Sequence, residues 1–173
     1  MVGVILVVIV VAFVWQRLFG EEPVAPRLVS STPVALIGAE SEEPVAVAAD
    51  GTVLAWFPVP EETTLPSLPL DAPPEKGRRL EGPVLEQVRV LATVPPALRP
   101  YVASSYYGES GVDVLLESGI ELRFGEATQA ARKWRAAAAV LADPSVESLD
   151  YVDLHAPSHP AIRGSGHALP SIP

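Results

Sequence analysis

The longest run of apolar residues lies at the N-terminus. No polar side chain interrupts residues 2–15, and Leu18 and Phe19 follow Arg17. As a helix, residues 2–19 would be about 27 Å long, close to the roughly 30 Å of a bilayer's hydrocarbon core. The pattern predicts a single transmembrane helix over residues 1–19 that ties the chain to the cell membrane.

Two other interpretations of this run remain open, a signal peptide and a buried core segment. No Lys or Arg precedes the run, so the basic region of a signal peptide is missing and the positive-inside rule gives no orientation. We therefore favour the anchor, and we expect the natural chain to begin further upstream with a cytoplasmic tail.

Polar, proline-bearing sequence follows the apolar run. Residues 20–43 contain three prolines and end in an acidic cluster. This composition favours an extended linker, so we expect a tether that holds at most one short strand, at 34–37. The folded domain is predicted to begin at Pro44.

A hairpin is predicted around the Asp-Gly pair at 50–51, the commonest pair in a two-residue type I′ turn. A two-residue turn would place Val47 opposite Leu54 and Val45 opposite Trp56. This register puts the apolar residues of both strands on one side. The proline-rich stretch that follows, 58–74, is unsuited to a central strand.

Two helices are predicted from apolar residues at helical spacing. The first opens at Gly82-Pro83 and ends at Pro95-Pro96. The second covers roughly residues 126–142 and ends at Asp143-Pro144. We expect three basic residues of this second helix, Arg132, Lys133 and Arg135, to face solvent. Its buried stripe is predicted to consist of Ala127, Ala130, Ala131, Trp134, Ala138 and Leu141.

A second hairpin joins the apolar runs 112–116 and 120–124. A two-residue turn would set Asp113 opposite Phe124 and mix charge with the core. A three-residue turn with Gly119 in the left-handed conformation avoids this. It pairs Leu116 with Ile120, Val114 with Leu122, Val112 with Phe124, and Asp113 with Arg123 on the outer face.

Further strands are predicted at 102–107 and 146–154, with a short extended piece at 161–163. Together these elements predict an α+β domain over residues 44–163. We expect an antiparallel sheet of six or more strands with two or so helices packed on one face. Residues 164–173 are expected to form a flexible tail.

Composition narrows the classes of function. Twelve basic and twenty-one acidic residues give a formal charge of −9, which disfavours binding to nucleic acid. The chain has no cysteine, so it has no disulfide framework, thiolate metal site or cysteine nucleophile.

The candidate catalytic motifs are weak. The three histidines, with Asp150 and Asp153, match no common zinc spacing and lie among prolines and glycines that would hold ligands loosely. Ser110 lacks the flanking glycine spacing of a nucleophile elbow. We therefore expect a protein that is not an enzyme, with no cofactor, no metal and no small-molecule substrate.

A family resemblance covers about residues 40–163. Three groups of residues carry it: Glu43-Pro44-Val45-Ala46-Val47 with Asp50-Gly51, then Leu65 to Leu70, then Gly119 to Gly125 with Lys133, Tyr151-Val152-Asp153-Leu154, Pro157 and Ala161-Ile162-Arg163. In order and spacing these resemble the end of the FtsQ/DivIB cell-division proteins. The resemblance implies the FtsQ β domain and a single-pass protein at the division septum, with most of the chain outside the cytoplasm. Residues 20–43 are too few for the family's POTRA domain of about 70 residues.

The resemblance implies a scaffold rather than a catalyst. Members bind FtsB and FtsL, help regulate septal peptidoglycan synthesis, and receive FtsB as a β-strand added to their last strand. This implies a partner-binding edge within residues 155–164, for which the predicted contacts are His155, Ser158, Ala161, Ile162 and Arg163. Two positions that carry aromatic anchors in some relatives are Ala156 and Gly164 here.

Two alternative functions remain open. One is a secreted hydrolase, which would need the three histidines to cluster with carboxylates in a cleft. The other is a membrane-anchored or secreted extracytoplasmic binding module with another ligand. A deep apolar pocket would favour that module, whereas a flat exposed edge would favour the scaffold.

Overall fold

The computed structural model describes residues 32–39, 43–55, 57–60, 63–70 and 74–171. Within these ranges no helix is both long and apolar enough to cross a bilayer. The anchor predicted at 1–19 and the pairing predicted for Trp56 lie outside the described residues.

The described residues form one eight-stranded sheet with two α-helices and a short 3₁₀ turn. The strands are β1 Pro33–Ile37, β2 Val45–Ala48, β3 Ser67–Leu68, β4 Val102–Gly108, β5 Gly111–Leu116, β6 Glu121–Gly125, β7 Ser148–Asp153 and β8 Ala161–Ala168. The helices are α1 Gly82–Leu91 and α2 Ala130–Leu141, and the 3₁₀ turn is Arg99–Tyr101. The predicted α+β class is confirmed.

The sheet is mixed, so the prediction of an antiparallel sheet was wrong. Its strand order is β2-β1-β3-β4-β5-β6-β7-β8, and the pairs β1–β3, β3–β4 and β6–β7 are parallel. The physical reason lies in the connections. Because α2 carries the chain from β6 back along the sheet before β7 begins, β7 runs in the same direction as β6, and α1 does the same between β3 and β4.

The short strand predicted at 34–37 forms as β1, and part of the segment predicted as a flexible tail also belongs to the sheet. Strand β1 lies between β2 and β3, and its residues 35–37 are at most 2% exposed. Strand β8 continues past Arg163 to Ala168 and pairs with Ser148 there. The short extended piece predicted at 161–163 is therefore the start of an eight-residue strand.

The first hairpin has a three-residue turn instead of the predicted two-residue turn. Val47 bridges to Val53, and the amide of Leu54 donates to the carbonyl oxygen of Ala46 at 2.8 Å. The predicted Val47–Leu54 pair is therefore one residue out of register. Gly51, with φ +87°, ends the turn, and this register buries Val53 completely.

The second hairpin follows the predicted three-residue turn. Gly119 has φ +91°, and the amide of Leu116 donates to the carbonyl oxygen of Ile120 at 2.9 Å. The pairs Val114–Leu122 and Asp113–Arg123 are present as predicted. A bulge between Val112 and Asp113 then moves the partner of Val112 from Phe124 to Gly125.

Both predicted helices form, and they pack together over the sheet. The indole Nε1 of Trp134 in α2 donates to the carbonyl oxygen of Val90 in α1 at 2.9 Å. The Trp134 ring is fully buried and lies 4.8 Å from the ring of Phe124, centroid to centroid. Such a buried aromatic pair joins helix to sheet.

The buried stripe of α2 differs from the prediction at three positions. Ala137 is buried, whereas Ala131 is exposed. Lys133 is 4% exposed, so the prediction that it faces solvent was wrong. Its ammonium donates hydrogen bonds to two backbone carbonyl oxygens. These bonds allow the charged group to be buried, and a hydrophobic pattern does not reveal them.

Candidate partner-binding edge

The last strand of the sheet forms an open edge. Strand β8 is terminal in the strand order and pairs only with β7 among the described strands. All eight of its residues are exposed, and Ile162 is 47% exposed. A terminal strand offers backbone donors and acceptors to an added strand.

The opposite edge of the sheet is covered by the protein itself. Val53 bridges to Val47 on the outer side of β2, and the amide of Val53 donates to the carbonyl oxygen of Arg78 at 2.9 Å. Thr52 also bridges to Arg79. Within the described residues, backbone pairing therefore protects β2 while β8 stays open.

The register with β7 decides which face each β8 side chain occupies. Ile162 lies opposite Val152, whose side chain is fully buried. Directly opposed residues share a face of the sheet, so Ile162 extends the apolar face that carries the helices. Arg163 lies opposite Tyr151 and therefore occupies the outer face.

A concavity of about 350 Å³ lies beside this part of β8. Its lining includes Val146, Leu149 and Ile162, together with Gly164 and the polar residues Ser145, Glu147, Ser148 and Arg163. The concavity lies beside the edge strand and is open to solvent. It could receive one side chain of a strand added to β8.

The five predicted contact residues fall into two groups. Ala161, Ile162 and Arg163 begin the edge strand. His155 and Ser158 lie in the connection between β7 and β8, where each has a polar neighbour. The Nδ1 atom of His155 lies 2.8 Å from Oδ1 of Asp153, and the Oγ atom of Ser158 lies 3.0 Å from Nδ1 of His159.

The outer face beside the edge carries a chain of polar contacts. The hydroxyl of Tyr106 donates to Oε2 of Glu121 at 2.6 Å, and Nε of Arg123 donates to Oε1 of the same carboxylate. The guanidinium carbon of Arg123 lies 3.8 Å from the centroid of the Tyr151 ring. These contacts run from β4 to β7, and Arg163 of β8 lies opposite Tyr151 on the same face of the sheet.

These contacts set the charges on the outer face. Burial alone would raise the pKa of Glu121, but the hydrogen bonds from Tyr106 and Arg123 lower it below its usual value. Burial and the hydrogen bond to Glu121 both raise the pKa of Tyr106. The Glu121 carboxylate is therefore ionised, and the Tyr106 phenol keeps its proton, across the physiological pH range.

The structure separates two of the three histidines. His155 packs against Gly125 and His167 against Gly119, at opposite ends of β6. Among the residues that the structure describes, no group of three or more His, Asp or Glu side chains could hold a metal ion.

Asp150 of β7 contacts the edge strand, a role that was not predicted from the sequence. Oδ1 of Asp150 accepts a hydrogen bond from the amide of Gly166 at 2.8 Å. The available signal was the pair of glycines in an exposed strand, because glycine inside a strand often marks a bulge.

The chain matches a protein-family model over most of its length. The C-terminal domain of the cell-division protein FtsQ/DivIB matches residues 35–155, more than two thirds of the chain. The chain belongs to the FtsQ/DivIB family. No curated protein matches it.

The family assignment carries a coarse statement of function. FtsQ/DivIB proteins are non-catalytic proteins of cell division that act through protein–protein interaction at the division site. The matched range begins within β1 and ends at His155. Strand β8 therefore lies just beyond it.

Proposed function

We propose that this chain is a non-catalytic scaffold of the division machinery that binds FtsB and FtsL, with an FtsB-like partner added as a strand along β8. The open edge of β8 is the observation that carries this proposal. Residues 52–54 already pair along the outer side of β2, whereas a strand could be added at β8 without displacing any described residue.

The side chains of the edge suit such a partner. Alternate residues of an added strand would meet the two faces of the sheet in turn. On the helix face they would reach Ile162 and the concavity beside it, and on the outer face they would reach Arg163. Backbone pairing would supply affinity, and these side chains would supply specificity.

The scaffold would act outside the cytoplasm at the septum, held there by the helix predicted at 1–19. Its binding of FtsB and FtsL would help regulate septal peptidoglycan synthesis. The family's lack of catalytic function supports this role.

Co-purification of the full chain with its FtsB-like partner tests the proposal. Ile162→Lys should reduce recovery of the partner at least about tenfold, because a charged side chain would enter an apolar interface. The circular dichroism of the variant should match that of the wild type, since Ile162 is exposed at an edge.

Ala139→Lys is the matched control, because it places the same charge at an exposed position of α2. This control should recover the partner as well as the wild type does. Equal recovery with Ile162→Lys, or no binding by the wild type, would exclude the proposed edge.

A further inference from the structure

Strand β8 contains a bulge at its centre. Leu149 lies opposite His167 and Tyr151 lies opposite Arg163. One residue of β7, Asp150, therefore spans the same stretch as residues 164–166 of β8. Two extra residues are accommodated in the edge strand.

The carboxylate of Asp150 occupies the centre of this bulge. Its Oδ1 accepts the amide of Gly166 at 2.8 Å. A Cβ atom added to Gly164 or to Gly166 would overlap the Asp150 side chain, and Gly164 also has φ +93°. The bulge thus depends on an acid in β7 and on two residues without side chains in β8.

A second register is available to β8 without a bulge. Extending the pairs Ser148–Ala168 and Leu149–His167 in a straight ladder would bring Ser165 opposite Tyr151 and Gly164 opposite Val152. The segment 161–163 would then move two residues along β7. Gly164 would then lie opposite Val152 in place of Ile162.

We propose that Asp150 is a positioning residue that locks β8 in the bulged register and so decides which side chains the edge presents. Its hydrogen bond to Gly166 favours the bulge over the straight ladder. The bulge also breaks the run of evenly spaced backbone groups at 164–166. The edge therefore fits a short strand that pairs along 161–163 and ends or bends at Gly164, rather than a long straight strand.

The part of this inference that concerns the partner rests on the proposed function, whereas the register lock does not. The lock can be measured by disulfide formation, because the chain has no native cysteine. Cysteines at 151 and 163 report the bulged register, and cysteines at 151 and 165 report the straight one, since paired Cα atoms come within bonding range.

In the full chain, the 151–163 pair should form a disulfide and the 151–165 pair should not. Asp150→Ala should raise the yield of the 151–165 disulfide about tenfold, because it removes the acceptor of the hydrogen bond that the amide of Gly166 donates. Asp150→Asn, which keeps the Oδ1 acceptor, should behave as the wild type. Gly164→Ala should raise the yield of the 151–165 disulfide as Asp150→Ala does. If Asp150→Ala fails to fold, Gly164→Ala provides the test of the register lock.

An unchanged disulfide pattern in Asp150→Ala and Gly164→Ala would overturn the register lock. Partner recovery gives a separate result. If the lock holds, Asp150→Ala should lose the partner while Asp150→Asn retains it. If the wild type recovers no partner, the proposed function fails, and the disulfide pattern still decides the lock.

Discussion

The ammonium of Lys133 in α2 donates a hydrogen bond to the carbonyl oxygen of Phe124, the fourth residue of β6, at 2.7 Å. The same ammonium donates to the carbonyl oxygen of Glu126 at 2.8 Å. Lys133 therefore closes the connection from the sheet to α2. Burial lowers the pKa of Lys133, although Glu126 and Asp153 oppose this effect.

Replacing Lys133 with methionine should lower the free energy of unfolding by about 2–3 kcal/mol, because carbonyl oxygens that it now pairs would stay buried without a donor. Urea denaturation, monitored by circular dichroism, measures this loss of stability. Arg132→Met changes an exposed neighbour in the same helix and should stay within about 0.5 kcal/mol of the wild type. Equal effects of the two substitutions would contradict the assigned role.

Gly111 packs directly on the backbone of Gly125. A Cβ atom at Gly111 would lie 2.6 Å from the Gly125 carbonyl group, and Gly111 has φ +115°. Because backbone cannot move aside as a flexible side chain does, Gly111→Ala should cost about 2–4 kcal/mol of stability.

Gly77→Ala separates the steric effect of Gly111→Ala from the effect of φ. Gly77 has φ +82°, but no atom lies within 4 Å of its ideal Cβ position. This control should lose only about 1 kcal/mol, the cost of a left-handed alanine. Thermal unfolding of the two variants should therefore give clearly different midpoints. Matching midpoints would show that the contact with Gly125 is unimportant.

Asp113 should make stability depend on pH. Burial, and then the charge of Glu121, raise the pKa of Asp113 to about 6, although Arg123 and His155 act in the opposite direction. Between the usual aspartate range and about pH 6, the folded state binds a proton that the unfolded state does not. The contribution of Asp113 to stability therefore falls as pH rises through this window.

Asp113→Asn should consequently be more stable than the wild type at pH 7, by about 1 kcal/mol since solvent screens part of the effect. This advantage should disappear near pH 4, and chemical denaturation at both values measures it. Glu109→Gln removes one charge from the exposed tip of the β4–β5 hairpin and controls for net charge. A constant advantage of Asp113→Asn at both pH values would refute the pKa assignment.

Local patterns predicted the elements whose causes are local. These causes lie within a few residues of the structure that they specify. They are the proline pair after α1, the glycine that ends the β5–β6 turn, and the alternation of apolar residues on both sides of that turn. This is why the Val114–Leu122 register was predicted correctly. The first hairpin was mispredicted because Asp-Gly suits both a two-residue and a three-residue turn, and only the burial of Val53 in the folded core selects between them.

The candidate edge was predicted only in part. The resemblance placed contacts at 161–163, where β8 begins. The residues that shape this edge depend on long-range pairing instead. Asp150 acts on Gly166, sixteen positions away, and no local pattern couples an acid to a distant glycine.

The sequence by itself determined the helices, the α+β class, the second turn and the family, because propensity, periodicity and motif order act along the chain. The tertiary structure alone decided the mixed strand directions, the burial of Lys133, the position of β1 between β2 and β3, the inclusion of residues 164–168 in the sheet, and which edge stays open. Each of these depends on which distant segment supplies a hydrogen-bond partner or an apolar surface. Backbone groups form their hydrogen bonds, and apolar side chains are buried, through contacts in space rather than through neighbours in sequence.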